Sequence, residues 1–113
     1  SVSVRCVGEA EYAATGDAST DIITAVGHPF ANDDIVIFNT LTGGSGLTAN
    51  PTGQYYLGIY KVINVSGNTF QLAAPGSSTT PINFTTDITA ATIARPICWS
   101  TSGPMTTVLA GGY

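Results

Sequence analysis

The pattern of apolar and polar residues along the chain predicts β-strands and no long amphipathic helix. Positions 21–26 are rich in β-branched residues, which predicts a strand. Positions 35–38 are apolar without interruption, as is typical of a strand covered on both faces. Positions 54–64 predict a long aromatic strand that bends at Gly58, and positions 69–73 return beside it after a tight turn. The chain is therefore predicted to be all-β.

Three segments between these strands are predicted as loops. Residues 8–20 are small and polar, residues 40–53 contain a run of glycines and an Asn-Pro pair, and residues 75–81 are rich in Gly, Ser, Thr and Pro. The glycine-rich loop has two open interpretations: a contact surface, or a loop packed on its own barrel through Leu41 and Leu47.

The second half of the chain predicts one or two further strands. Residues 82–84 and 88–97 have the required apolar pattern, with Pro96 marking an edge or an end. The expected fold is a small β-barrel or compressed sandwich of five to seven mostly antiparallel strands, with extended terminal arms. Within this single domain we assign 1–20 to an N-terminal strand or arm and loop, 21–97 to the barrel module, and 98–113 to a C-terminal arm.

The low content of charged residues changes the functional expectation. Only 9% of the 113 residues are charged, whereas typical soluble proteins contain about 25%. A surface poor in Lys and Glu loses less side-chain entropy on association and has fewer ions to desolvate. We therefore expect a subunit that packs against other subunits, although some extracellular β domains share this composition.

The three cations are too few and too scattered to bind polyanions. Arg5, Lys61 and Arg95 are the only Lys or Arg residues, and the net charge is −4. Nucleic-acid binding requires clustered cations that neutralise phosphates, and anionic membranes attract clusters of the same kind. We expect neither partner.

Apolar residues near the two termini are the predicted interaction sites. No charged side chain occurs from residue 96 onward, and an uncharged apolar tail is hard to bury within so small a barrel. We predict that both arms dock on neighbouring subunits. The candidate interaction residues are Val2, Val4, Trp99, Met105, Val108, Leu109 and Tyr113.

The sequence contains no convincing catalytic or metal-binding constellation. His28 is the only histidine, and its place before a proline in a turn favours a structural hydrogen bond over catalysis. Asp33 and Asp34 suit turn capping better than calcium binding, because no spaced acidic loop surrounds them. We therefore predict that the protein is not an enzyme and binds no cofactor and no metal.

Two other features leave alternatives open. Tyr55, Tyr56 and Tyr60 could stack on a sugar ring, but core packing explains them equally well. A disulfide between Cys6 and Cys98 would require the terminal strands to be neighbours. The sequence alone favours two free thiols in a reducing cytoplasm.

The middle of the chain resembles a small β-barrel module that is common in tailed-bacteriophage virion proteins. That module is similar to the first catalytic-cysteine half-domain of ubiquitin-activating enzymes. The resemblance covers roughly residues 20–95, and the Asp33-Asp34 pair departs from the usual Gly-Asp at this turn. The matching residues are His28, Phe30, Asp33, Val36, Phe38, Gly43, Gly44, Leu47, Tyr55, Tyr56, Val62, Asn68, Thr69, Phe70, Gln71 and Leu72.

The resemblance implies a structural function in a virion. The module occurs in tail, fibre, baseplate and head-surface proteins, and a barrel with two uncharged arms looks most like a capsid decoration or head-stabilising protein. The implied partners are the major capsid protein or other virion subunits, with formation of a homo-oligomer. The implied location is the virion, assembled in the host cytoplasm. The alternatives are a tail, fibre or baseplate component and a carbohydrate-binding module for host attachment.

Overall fold

The protein is built from β-strands joined by turns and loops. The computed structural model describes residues 4–50, 58–100 and 107–109, and the side chains of residues 10–50 and 58–96. Within these ranges there is no helix, and hence none long and apolar enough to cross a lipid bilayer. The strands are β1 (Val4–Asp17), β2 (Ile22–Thr24), β3 (Ile35–Gly43), β4 (Ile59–Ser66), β5 (Thr69–Ala73), β6 (Ile88–Ser100) and β7 (Thr107–Leu109).

Six of the strands close into a small antiparallel barrel. Their order around the barrel is β1-β2-β5-β4-β3-β6, and β6 pairs with β1 to complete the ring. β7 pairs only with the end of β6 and lies outside the ring. The prediction of an all-β fold with five to seven mostly antiparallel strands is confirmed. Closure of the ring leaves the barrel strands with partners on both sides over part of their length.

Large apolar side chains from all the barrel strands fill the interior. Phe38, Phe70 and Phe84 are the largest of the almost fully buried side chains and belong to one core cluster. Residues 82–84 do not form a separate strand, which was one of the two possibilities predicted for this part of the chain. The segment is irregular and contributes Phe84 from a loop. The other buried members of the core are Ala14, Ile23, Ala25, Phe30, Val36, Val62, Leu72, Ile88, Ala91 and Ile93.

β3 is buried on both faces, as the run of apolar residues predicted. Val36 and Phe38 belong to the barrel core, whereas Ile37 points to the other face and is also fully buried. On the neighbouring strand β4, Lys61 is buried too, and its Nζ donates a hydrogen bond of 2.6 Å to the carbonyl oxygen of Gly76. The segment that follows β5 therefore lies against the outer face of the barrel here.

The β4–β5 hairpin forms where the sequence predicted it. Ser66 pairs with Thr69, and the turn places Gly67 at a φ of 58°. The predicted bend at Gly58 is also present, with a φ of 64°. A Cβ atom at Gly58 would lie 2.5 Å from the carbonyl oxygen of Thr48, so this close approach requires glycine. Residues 51–57, which include the predicted start of this strand, lie outside the described residues.

Two strands, β1 and β3, extend into segments that the sequence predicted as loops. The loop predicted at residues 8–20 is wrong up to Asp17, because β1 continues through it along β6. The loop predicted at residues 40–53 begins later, because β3 pairs with β6 as far as Gly43. In each case pairing with a distant strand outweighs the weak local β-propensity of residues such as Gly, Ala and Asn.

β6 also continues past the proline that was expected to mark an edge or an end. Pro96 lies between Ala94, which pairs with β3, and Ile97, which pairs with β7. The missing N–H of proline therefore interrupts neither of these two ladders, and the strand runs on to Ser100.

Candidate interaction surface

The described parts of the two predicted arms are joined through their backbones into one ribbon. Val4 pairs with Ser100, and the ladder between β1 and β6 continues inward to Glu9 and Arg95. β7 adds a third strand by pairing with residues 97–99 of β6. This ribbon, residues 4–9, 96–100 and 107–109, extends past the last residue of β6 that pairs with β3.

Four of the predicted interaction residues lie in the ribbon. Val4 is in β1, Trp99 is in β6, and Val108 and Leu109 are in β7, opposite Cys98 and Ile97 respectively. Val2, Met105 and Tyr113 lie outside the described residues. The backbone therefore brings the described N-terminal and C-terminal candidates to one part of the molecule.

A β-bulge marks the point where the ribbon leaves the barrel. Glu9 pairs with Arg95 and Tyr12 pairs with Ile93, so Ala10 and Glu11 together face one residue of β6. Ala10 has a φ of 55°, which is uncommon for a residue other than Gly, Asn or Asp. Bulges of this kind bend a strand and increase its twist. The bulge therefore sets the direction of the ribbon relative to the barrel.

Charged and aromatic side chains hold this junction in place. The Nη2 atom of Arg95 donates to Oδ2 of Asp34 at 2.6 Å and to the carbonyl oxygen of Pro29 at 3.0 Å. The guanidinium carbon lies 5.4 Å from the ring centroid of Phe30, and Tyr12 packs edge-on against the same ring. The turn before β3 is thereby tied to β6 at the base of the ribbon.

Arg95, Asp34 and Phe30 were each noted from the sequence, but nothing in the sequence predicted that they meet at this junction. Nearby, Nδ2 of Asn39 donates a hydrogen bond of 2.6 Å to Glu11 of β1. Glu11 and Asn39 are far apart in the chain, and no local pattern indicates that they meet.

An open uncharged groove lies toward the other end of β1 and β6. Its volume is about 390 Å³, and Val26 at its rim is 74% exposed. The lining residues are small, so the strands leave a depression between them. They are Ala13, Ala14, Thr15, Thr24, Val26, Thr89, Ala90 and Ala91.

His28 is held as a structural residue. Its Nδ1 accepts a hydrogen bond of 3.0 Å from the backbone N–H of Phe30, as the sequence analysis expected for this turn. The imidazole stacks on the Phe30 ring at 5.4 Å and meets the edge of Phe70 at 4.9 Å. Nε2 is buried without a hydrogen-bond partner among the described residues. These contacts give His28 a structural role in the turn and against the core.

The paired aspartates serve the turn and two ion pairs. Oδ2 of Asp34 accepts the backbone N–H of Ala31 at 2.9 Å in addition to its bond with Arg95. Asp33 adopts a φ of 76° and lies 3.9 Å from Nζ of Lys61. In the described part of the chain, no three His, Cys, Asp or Glu residues are grouped so that they could hold a metal ion.

The glycine-rich segment packs on its own barrel where it is described. Leu41 and Leu47 are partly buried against the core, which is the second of the two interpretations given above. The hydroxyl of Tyr60 accepts a hydrogen bond of 2.7 Å from the backbone N–H of Thr48, and its ring packs against Phe38. Tyr60 therefore anchors this segment, whereas Tyr55 and Tyr56 lie outside the described residues.

One carboxyl group has a shifted pKa, at the turn that follows β1. Oδ1 of Asp17 accepts hydrogen bonds from the hydroxyl of Ser19 at 2.7 Å and from the backbone N–H of Ser19 at 2.9 Å. Both bonds favour the ionised form and lower the pKa of Asp17 below its ordinary value of 3.8. The group caps the turn between β1 and β2.

Comparison of the chain with models of known protein families, with curated proteins and with solved structures gives no match.

Proposed function

We propose that this chain is a non-enzymatic structural protein of a tailed-bacteriophage virion, where it decorates the assembled head as a homo-oligomer. Its partners are the major capsid protein or other virion subunits, which it joins in the host cytoplasm. The resemblance of residues 20–95 to the barrel module of phage virion proteins supports this proposal. The low content of charged residues supports it as well, because few ions need to be desolvated when a neighbouring subunit docks.

The ribbon is the observation that carries the proposal. Among the described residues, no strand pairs with β7 on its side away from β6, and β1 gains a second neighbour only at Thr15–Asp17. Open strand edges are templates on which another chain can form backbone hydrogen bonds. A capsid subunit that adds a strand to this edge would be bound mainly by backbone and apolar contacts.

The placement of two of the three cations supports a weak dependence of binding on salt. Lys61 is buried and contacts Gly76 and Asp33, and Arg95 is engaged by Asp34. Neither side chain is available as an isolated charge for a polyanionic partner. Capsid binding should therefore change little between low and moderate ionic strength, in contrast to binding driven by counterion release.

The first test locates the protein in the particle. Gold-labelled antibody raised against the purified chain is applied to virions of the phage that encodes it and observed by electron microscopy. Label on the head is the expected result. Label confined to the tail would replace the proposed location with the tail alternative, and unlabelled particles that lack the protein on immunoblots would contradict a virion function altogether.

The second test asks whether the ribbon performs the docking. Deleting residues 103–113 removes β7 and leaves all six barrel strands. The deletion should weaken cosedimentation with heads that lack the protein at least tenfold, with the barrel still folded by circular dichroism. Val26→Ser is the matched control, because Val26 is exposed on the groove and belongs to no part of the ribbon. Loss of binding in the control alone would assign docking to the groove.

A further inference from the structure

The two cysteines of the chain occupy directly paired positions in the ribbon. Cys6 of β1 is the register partner of Cys98 of β6. The flanking pairs, Arg5 with Trp99 and Val7 with Ile97, continue the same register without interruption. The pairing therefore lies in a regular stretch of antiparallel ladder, outside the bulge at Ala10 and Glu11.

This register satisfies the backbone requirement for a covalent link. Directly opposed residues of an antiparallel pair share one face of the sheet, with Cα atoms about 4.5 or 5.5 Å apart. Disulfides span Cα separations of about 4.4–6.8 Å. We propose that Cys6 and Cys98 form an intramolecular disulfide across the ribbon. With two cysteines in the chain, this is the only intramolecular connectivity.

The bond forms by thiol–disulfide exchange with a small disulfide such as oxidised glutathione. One cysteine thiolate attacks a sulfur of the oxidant, which gives a mixed disulfide and releases one reduced thiol. The second cysteine thiolate then attacks the protein sulfur of the mixed disulfide and releases the other reduced thiol. The protein loses two protons and two electrons, and one oxidised glutathione becomes two glutathione molecules.

The link would join the two strands that carry the ribbon and close a loop around the barrel segments between them. Such a long loop loses much conformational freedom in the unfolded chain when it is cross-linked. The bond itself does not depend on the proposed function. Only its timing does: a virion protein assembled in a reducing cytoplasm would oxidise after the particle is released.

The test uses exchanges of neighbouring residues that keep the composition constant. Cys6→Val with Val7→Cys moves one thiol by a single position and hence to the other face of its strand. Ile97→Cys with Cys98→Ile does the same on β6. All four changes together restore a direct pair, because Val7 and Ile97 are register partners.

Each full-length protein is equilibrated in a series of glutathione redox buffers and quenched with a maleimide. Intact-mass spectrometry and non-reducing peptide maps then measure the linked fraction. In the wild type and in the variant with all four changes, the equilibrium constant for the intramolecular link should be at least tenfold higher than in the variants that carry only one of the two exchanges. Comparable far-UV circular dichroism establishes that the strands are retained, and either single exchange suffices if the other fails to fold.

Three results would overturn the proposal. They are two free thiols in the wild type at the most oxidising buffer, a link between two molecules instead of within one, and equal oxidation of all four proteins. Because no capsid is present, failure here leaves the proposed docking function unaffected. Retention of capsid binding by the deletion variant would contradict the docking function, and it likewise says nothing against the disulfide.

Discussion

Replacing Ala10 by glycine should stabilise the protein, although glycine usually weakens a strand. Ala10 occupies the left-handed region with a φ of 55° at the bulge of β1. This conformation costs an L-residue about 1–2 kcal/mol, because its Cβ approaches the following carbonyl oxygen too closely. Glycine has no Cβ and adopts the conformation without this cost.

The expected gain is the difference between two opposing effects. Glycine loses more backbone freedom on folding than alanine, which costs about 0.5–1 kcal/mol. The methyl group of Ala10 is exposed, so its removal sacrifices little buried apolar surface. The net stabilisation should be about 0.5–1 kcal/mol, which corresponds to a rise of about 2–8 °C in the melting temperature.

Equilibrium unfolding in urea measures this gain, and Ala13→Gly provides the matched control. Ala13 is exposed in the same strand, pairs with Thr92, and has no positive φ. The control should lose about 0.5–1 kcal/mol, so the two variants should differ by about 1–2 kcal/mol at equal m-values. If both substitutions destabilise the protein by the same amount, Ala10 does not hold a left-handed conformation and the bulge is misplaced.

Three further experiments test other parts of the structure. Gly43→Ala should lower the free energy of unfolding in urea by about 3 kcal/mol, because a Cβ there would collide with a backbone carbonyl. Gly67→Ala is the control, with a positive φ but open space around it, and should lower the free energy by about 1–2 kcal/mol; equal losses would argue against the collision. A double-mutant cycle of Arg95→Met and Asp34→Asn should give a coupling of about 0.5–1 kcal/mol, since the pair is partly exposed; a coupling near zero would show that the ion pair does not hold the junction. Because the pKa of Asp17 is lowered in the folded state, the stabilising effect of this carboxylate is present above the unfolded pKa and lost as the pH falls through the folded pKa. Asp17→Asn should therefore flatten the decline in stability below about pH 4, and an unchanged pH profile would contradict the capped turn.

Local patterns predicted the parts of the fold that local forces determine. The turn at Gly67 needs a positive φ, and the residues around it pair with one another, so the hairpin was visible in a few neighbouring positions. The apolar run at 35–38 likewise indicated a strand buried on both faces. Such features depend on residues that are close together in the chain.

The remainder depends on contacts between distant segments. Residues 8–17 are mostly Gly, Ala, Glu and Asp, which have weak β-propensity, and they form a strand because β6 supplies most of the hydrogen bonds. The left-handed Ala10 carries no signal in its side chain, because glycine or asparagine is the residue type that usually marks this conformation. The pairing of Cys6 with Cys98 also joins distant segments, so the sequence alone could not predict that the two cysteines are register partners.

Closure of the barrel by β1 and β6 also determines the order in which the chain can fold. The first strand finds its main partner only in the sixth, after the whole of the intervening barrel. Pairings between such distant segments are slow to form because the long loop must be closed first. During synthesis β1 and β3 therefore keep unpaired edges until β6 is available, and such edges are prone to pair with other chains. Slow ribosomal release of β6 should consequently favour aggregation of the nascent protein.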